Sequence, residues 1–228
     1  MKEEDEWIEK GVKLLRDGKV EKAIRYFDKA LSINPRCDGA FVNKGVALDI
    51  KGEEREAIEC YDRAIFINPE NETALVNKGV AHFAKGEIDK AVECYDKALA
   101  IDPDSVDAWN NKGNALYEMG KYKDANECYN KVISLDSEYE KAWNNKGLAL
   151  LGMDLYDKAV ECFDKAISID AQYDKAWYNK GLALEEKGEE EGAVDAYEKS
   201  LSINQNQPEV RRALNELKRN MREEPTFE

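Results

Sequence analysis

Four cysteines, Cys60, Cys94, Cys128 and Cys162, recur at intervals of 34 residues, each directly before an aromatic residue. A thiol can serve as nucleophile, redox centre or zinc ligand, but each role needs a partner at short range. His82 is the only histidine, no cysteine has it within motif spacing, and neither a glycine-rich phosphate loop nor a metal-ligand signature occurs. The residues therefore predict no enzyme, no cofactor and no metal. Equivalent positions in stacked repeats lie at least ~8–10 Å apart, beyond disulfide reach. The four thiols are thus read as small buried hydrophobes in a reducing compartment. Cys37 falls out of register and is read as a free surface thiol.

The second recurring polar group is an amide. Asn43, Asn77, Asn111, Asn145 and Asn179 keep the same period, and Glu9 holds the corresponding place at the start of the chain. A carboxamide offers both a donor and an acceptor, so a row of them can pair with the C=O and N–H of an extended peptide without reading its side chains. The competing use is a bond to the neighbouring repeat that fixes the stacking. The residues alone leave both open.

What positions these groups is a unit written six times. Two residues after each asparagine stands a glycine, Gly45, Gly79, Gly113, Gly147 or Gly181, with Gly11 completing the series. An alanine follows twelve residues later (Ala23, Ala57, Ala91, Ala125, Ala159, Ala193) and an aromatic four after that (Phe27, Tyr61, Tyr95, Tyr129, Phe163, Tyr197). Within a copy the apolar residues trace two helical stripes, as in Trp109, Gly113, Leu116 and then Ala125, Cys128, Tyr129, Val132, Ile133. Gly18, Gly52, Gly86, Gly120 and Gly188 fall between the stripes as left-handed caps, with Asp154 in that place in the fifth copy. Pro35, Pro69 and Pro103 end the second helix of the first three copies; Ser137, Ala171 and Gln205 replace them and predict softer junctions. The period-setting glycines lie inside the first helix at ~1 kcal/mol each relative to alanine, a cost that close approach of an aromatic would offset. Acid-then-base pairs such as Glu93–Lys97 and Glu161–Lys165 mark a solvated exterior.

These residues resemble the tetratricopeptide repeat, over copies 4–37, 38–71, 72–105, 106–139, 140–173 and 174–207. The resemblance implies an all-α fold, a right-handed superhelical α-solenoid of helix–turn–helix repeats filling residues 1–207. Pro208 then opens a capping helix over 208–222, and 223–228 form a mobile acidic tail. Departures are the lysines before the glycines (Lys10, Lys44, Lys78, Lys112, Lys146, Lys180) where the family has leucine, and His82 where other copies have leucine.

The resemblance further implies a concave face of first helices that holds an extended peptide or a partner helix. The expected groove comprises the asparagine row and, beside it, Val42, Val46, Val76, Val80 and Phe83 in an apolar first half. A polar second half follows in Asn110, Asn114, Tyr117, Asn144, Lys175 and Tyr178. The valines could instead pack between helices. Asn110, Asn114, Asn145, Lys175 and Asn179 occupy the positions of the family's carboxylate clamp, with two of its three cations missing. A net charge of −14 disfavours nucleic acid and anionic membrane as partners. With an acidic start and no long apolar run, the chain is expected in the cytoplasm. A non-enzymatic scaffold for a protein or peptide is the leading expectation. The alternative is self-assembly into a weak homo-oligomer through the solenoid ends, for instance around Trp7, or through the groove.

Overall fold

The computed structural model describes residues 3–223, and every regular element among them is an α-helix. In chain order these are α1 (Glu3–Arg16), α2 (Val20–Ile33), α3 (Asp38–Lys51), α4 (Glu54–Ile67), α5 (Glu72–Ala84), α6 (Ile88–Ile101) and α7 (Val106–Glu118). They continue with α8 (Tyr122–Leu135), α9 (Glu140–Leu151), α10 (Tyr156–Ile169), α11 (Asp174–Lys187), α12 (Glu190–Ile203) and α13 (Pro208–Glu223). The residues expected to form an acidic tail lie outside the described part, apart from Glu223 at the end of α13. None of the helices is long and apolar enough to cross a membrane.

The chain divides into two compact units, the first ending at Ala115 and the second beginning at Leu116. In the first, helix pairs α1/α2, α3/α4 and α5/α6 form hairpins. The main contacts run between chain neighbours, with a smaller contribution from the first helices of adjacent hairpins. The second unit repeats that arrangement with α9/α10 and α11/α12, and α13 packs on α12.

Each hairpin is closed the same way. The first helix ends in a left-handed residue: Gly18, Gly52, Gly86, Gly120 and Gly188 all have positive φ, and Asp154 adopts φ 59° at the corresponding turn. Asp154 is held there in part by the Tyr156 hydroxyl, which donates to its carboxylate at 3.0 Å. The second helix ends at Asn34, Asn68, Asp102, Asp136, Asp170 or Asn204 in extended conformation. In all six, the side-chain oxygen accepts from the N–H two residues on, at 2.9–3.2 Å. This Asx turn forms whether or not proline follows, so the same junction geometry recurs in the copies that carry Ser137, Ala171 and Gln205.

The core alternates aromatic and missing side chain. Phe27, Tyr61, Tyr95, Phe163 and Tyr197 are fully or almost fully buried, each against the glycine of its own hairpin. A Cβ built on Gly45 or Gly147 would stand 2.5 Å from the ring carbon Cε1 of Tyr61 or Phe163. The glycine therefore lets the ring approach the first helix at its backbone, a close contact that offsets the helix-propensity cost.

Candidate peptide-binding face

The asparagine row does not serve one purpose along its length. Asn43 Nδ2 donates back to the Gly39 carbonyl at 2.7 Å. In the second unit Asn179 is buried and its Nδ2 donates to Asn144 Oδ1 at 2.8 Å, which ties α11 to α9. Asn144, itself buried, donates to Asn145 Oδ1 at 3.2 Å. The Asn179–Asn144 bond joins neighbouring hairpins, the second of the two uses open from sequence, while the Asn43 bond stays within α3 and the Asn144–Asn145 bond within α9. Asn77 on α5 and Asn111 on α7, both half-buried, form no hydrogen bond with any described residue. They hold equivalent positions in successive first helices.

The apolar positions divide in the same way. Val42 and Val76 are buried, Val42 against Ala64 and Ala74, so both belong to the stacking core and not to an open groove. The reason is geometric: three residues before the glycine, the side chain turns toward the next hairpin. Val46 is half-buried beside the Leu48–Tyr61 cluster, and Phe83 packs against the cluster around Tyr95. Val80, next to Gly79, is 42% exposed. Asn77, Val80 and Asn111 are thus the predicted groove residues that the first unit leaves available, with Phe83 partly covered beside them.

Further along, Asn110 has a buried Oδ1 without a hydrogen-bond partner, and Asn114 is engaged within the chain, as is Asn145. Tyr117 stacks obliquely on Tyr122 at 5.3 Å and Tyr178 on Tyr197 at 5.9 Å. Lys175 is exposed at the start of α11.

Two carboxylates on this face are taken by tyrosines from below. Tyr61 Oη donates to Asp49 at 2.5 Å and Tyr197 Oη to Glu185 at 2.6 Å. Burial raises the Asp49 carboxyl above the ordinary value, with the Tyr61 hydrogen bond working the other way. These pairs occur where a tyrosine and an acid four residues after the glycine coincide in one copy, a coincidence visible in the sequence but not exploited.

A second contact escaped sequence reasoning. The acid opening a copy receives the junction that closes it: Asn34 donates to Glu4 at 3.2 Å, and Asn68 and Asn71 donate to Asp38 at 2.9 Å each. Ser105 donates to Glu72 at 2.7 Å and Asn204 to Asp174 at 2.8 Å. For Asp38, burial pushes the carboxyl up, yet the amide hydrogen bonds and two backbone N–H groups outweigh it and hold the group below the ordinary value.

The lysines before the glycines point away from the groove. Lys44, Lys78, Lys112 and Lys180 each pair with an aspartate of the preceding second helix (Asp28, Asp62, Asp96, Asp164) at 2.6–2.7 Å. The cysteines lie on those second helices, where Cys60, Cys94, Cys128 and Cys162 are buried and none is disulfide-bonded. Burial pushes the thiols of Cys60 and Cys94 up and that of Cys162 to about 11, the reverse of what a nucleophile needs. Cys37 is free and half-buried. His82 is buried and bridges the turn between α5 and α6, its Nδ1 lying 2.6 Å from Glu87.

Recurring helical hairpins, closed by left-handed caps and each packed internally through a glycine–aromatic contact, define an all-α repeat protein of the α-solenoid class. Known proteins make that class specific. Residues 4–37, 140–173 and 174–207 match the pattern described as "Tetratricopeptide repeat", and residues 50–86, 79–120 and 113–154 match that described as "TPR repeat". The chain belongs to the tetratricopeptide repeat family. Among curated proteins none matches it.

Solved structures of the same fold include PilF of Pseudomonas aeruginosa, at TM-score 0.82 and 20% identity, covering 93% of this chain and 97% of that one. YrrB, described as a TPR protein with an unusual peptide-binding site, is 22% identical at TM-score 0.69, over 83% of this chain and 97% of YrrB. The chain also aligns with the Cut9–Hcn1 structure of the APC/C at TM-score 0.79 and 20% identity. There 92% of this chain is covered but only 42% of that one.

Proposed function

We propose that this chain is a non-enzymatic scaffold that holds an extended segment of another polypeptide along the first-helix face, through the amides of Asn77 and Asn111. The observation that supports the reading is the contrast within the asparagine row. Asn43, Asn145 and Asn179 are spent on intrachain bonds, whereas Asn77 and Asn111 have none to a described residue. Each free amide can accept one backbone N–H and donate to one C=O. Exposed Val80 supplies apolar contact beside them. Such contacts bind main chain, so affinity depends weakly on the peptide's sequence, as in other extended-peptide recognition. The rival reading of end-to-end self-assembly gains no support from Trp7, which lies against Tyr26 at 5.4 Å with Lys10 and Lys29 over its ring.

The test uses unrelated peptides retained by the protein from a random-sequence display library. In the double variant Asn77→Ala/Asn111→Ala each should bind about tenfold or more weakly, the loss of two amide sites at ~1 kcal/mol per hydrogen bond. Asn43→Ala should leave the affinities alone. Equal affinity in the double variant, or a library from which nothing is retained, refutes the backbone-holding role.

A further inference from the structure

The ladder of lysine–aspartate pairs between successive hairpins carries one break. Four of the lysines beside the glycines answer an aspartate of the preceding second helix. In α8 that acid is Asn130, and Lys146 of α9 has no carboxylate partner among the described residues; its Nζ stands over the Trp143 ring at 5.2 Å. One turn earlier on α8, where the other copies have Ile24, Ile58, Val92, Val160 and Val194, this copy has Asn126. Two substitutions four residues apart thus turn one strip of α8 toward amides.

Both line a cleft of about 690 Å³ bounded by α8 and α10 and floored by Trp143 and Lys146 of α9. Its size suits a small ligand. Asn126, which lines this cleft, has a buried Oδ1 without a hydrogen-bond partner. A buried polar atom so placed costs free energy until something meets it. Lys158 and Lys165 add positive charge, set against Glu161 and Asp164 on the same rim. Asp164 is already taken by Lys180 at 2.6 Å. On a chain of net charge −14 this is a local excess of cations.

We propose that the cleft binds a carboxylate that carries a neighbouring N–H or O–H donor. The carboxylate lies beside Lys146 and Asn130, supplying the negative charge that an aspartate supplies in the other copies, and accepts from the ammonium and the Asn130 amide. The donor meets Asn126, and the ligand's body lies on Trp143. A free small acid and an acidic side chain of a polypeptide share this chemistry. The site shares no residue with Asn77, Val80 and Asn111, so its fate does not depend on peptide binding there.

Two probes distinguish the sources: N-acetylglycine as the free acid and acetyl-Gly-Glu-Gly-amide as the side chain. Each is titrated into the ¹⁵N-labelled protein while the side-chain amides of Asn126 and Asn130 and the Trp143 indole are followed. At least one probe should produce saturating shifts at these groups, and the one that does identifies the source. Asn130→Asp supplies an internal carboxylate to Lys146, as four other copies already do, and should weaken binding by about tenfold or more. Lys146→Gln should do the same by removing the cation, and serves if the first variant fails to fold. Absence of saturating shifts with both probes, or affinity unchanged in the variants, overturns the proposal.

Discussion

Gly147 and Gly192 are both helical glycines, yet the structure assigns them opposite responses to the same substitution. A Cβ on Gly147 would stand 2.5 Å from Phe163 Cε1, inside a fully buried ring contact, whereas one on Gly192 would meet Leu184 Cδ1 at 3.4 Å. Gly147→Ala should therefore lose ~1–3 kcal/mol through overpacking despite the gain in helix propensity. Gly192→Ala should gain up to ~1 kcal/mol. Denaturant midpoints of the two variants check this, and a shift of the same sign in both would contradict it. The sequence showed that glycine and aromatic recur together, and the structure supplies the ring lying on the backbone as the reason. It could not show which asparagines are spent internally. Asn145 and Asn179 stand in the same register as Asn77 and Asn111, and only the packing of α9 on α11 separates them.

Among the elements, the α5–α6 turn is unlike its counterparts because His82 replaces leucine. Its ring lies 2.6 Å from Glu87, and Lys90 reaches the same carboxylate at 3.3 Å. Hydrogen bonding from His82, then from Lys90, holds the Glu87 carboxyl down at about 2 against an ordinary 4.5. Between those values the unfolded chain binds more protons than the folded one, so stability rises with pH across the interval. The contribution is complete above about 4.5 and disappears as the pH falls toward about 2. In His82→Leu this acid limb should be shallower, read as denaturation midpoints at stepped pH; superimposable profiles would reject the role. Element boundaries were legible because caps are local chemistry: glycine, Asx turn and proline act within a few residues of themselves. The lysine–aspartate pairs were not, since the partners stand sixteen residues apart on different helices and neither signals the other.

At the scale of the molecule, each hairpin leans on its chain neighbours, so a terminal element matters through the single face it covers. In the second unit α13 buries Val210, Leu214 and Leu217 against a cluster that includes Leu184, Ala196 and Tyr197. Ending the chain at Asn206 should cost about 3 kcal/mol or more, from ~1.5–3 kcal/mol per buried aliphatic side chain. Newly exposed apolar surface should also bind a hydrophobic dye. Lys218→Ala removes only the partly exposed pair with Glu198 at 2.5 Å and should cost ~1 kcal/mol or less. An undiminished midpoint in the truncated chain would show that α13 is not a cap. The family and the helical-hairpin architecture could be read from period alone, because periodicity reports what every copy shares. A ligand site lies in what one copy does not share, as at Asn126 and Asn130.

The lysine–aspartate ladder also gives the copies a polarity that constrains how such a gene can grow. The second helices α2, α4, α6 and α10 each offer an acid that the first helix of the next module answers. A duplication inserted after the second module would find its complement waiting, and would present the same offer to the module behind it. Inserted after the fourth, the newcomer would face Asn130, inherit an unanswered ammonium, and shift the cleft to a new pair of neighbours without changing a single residue.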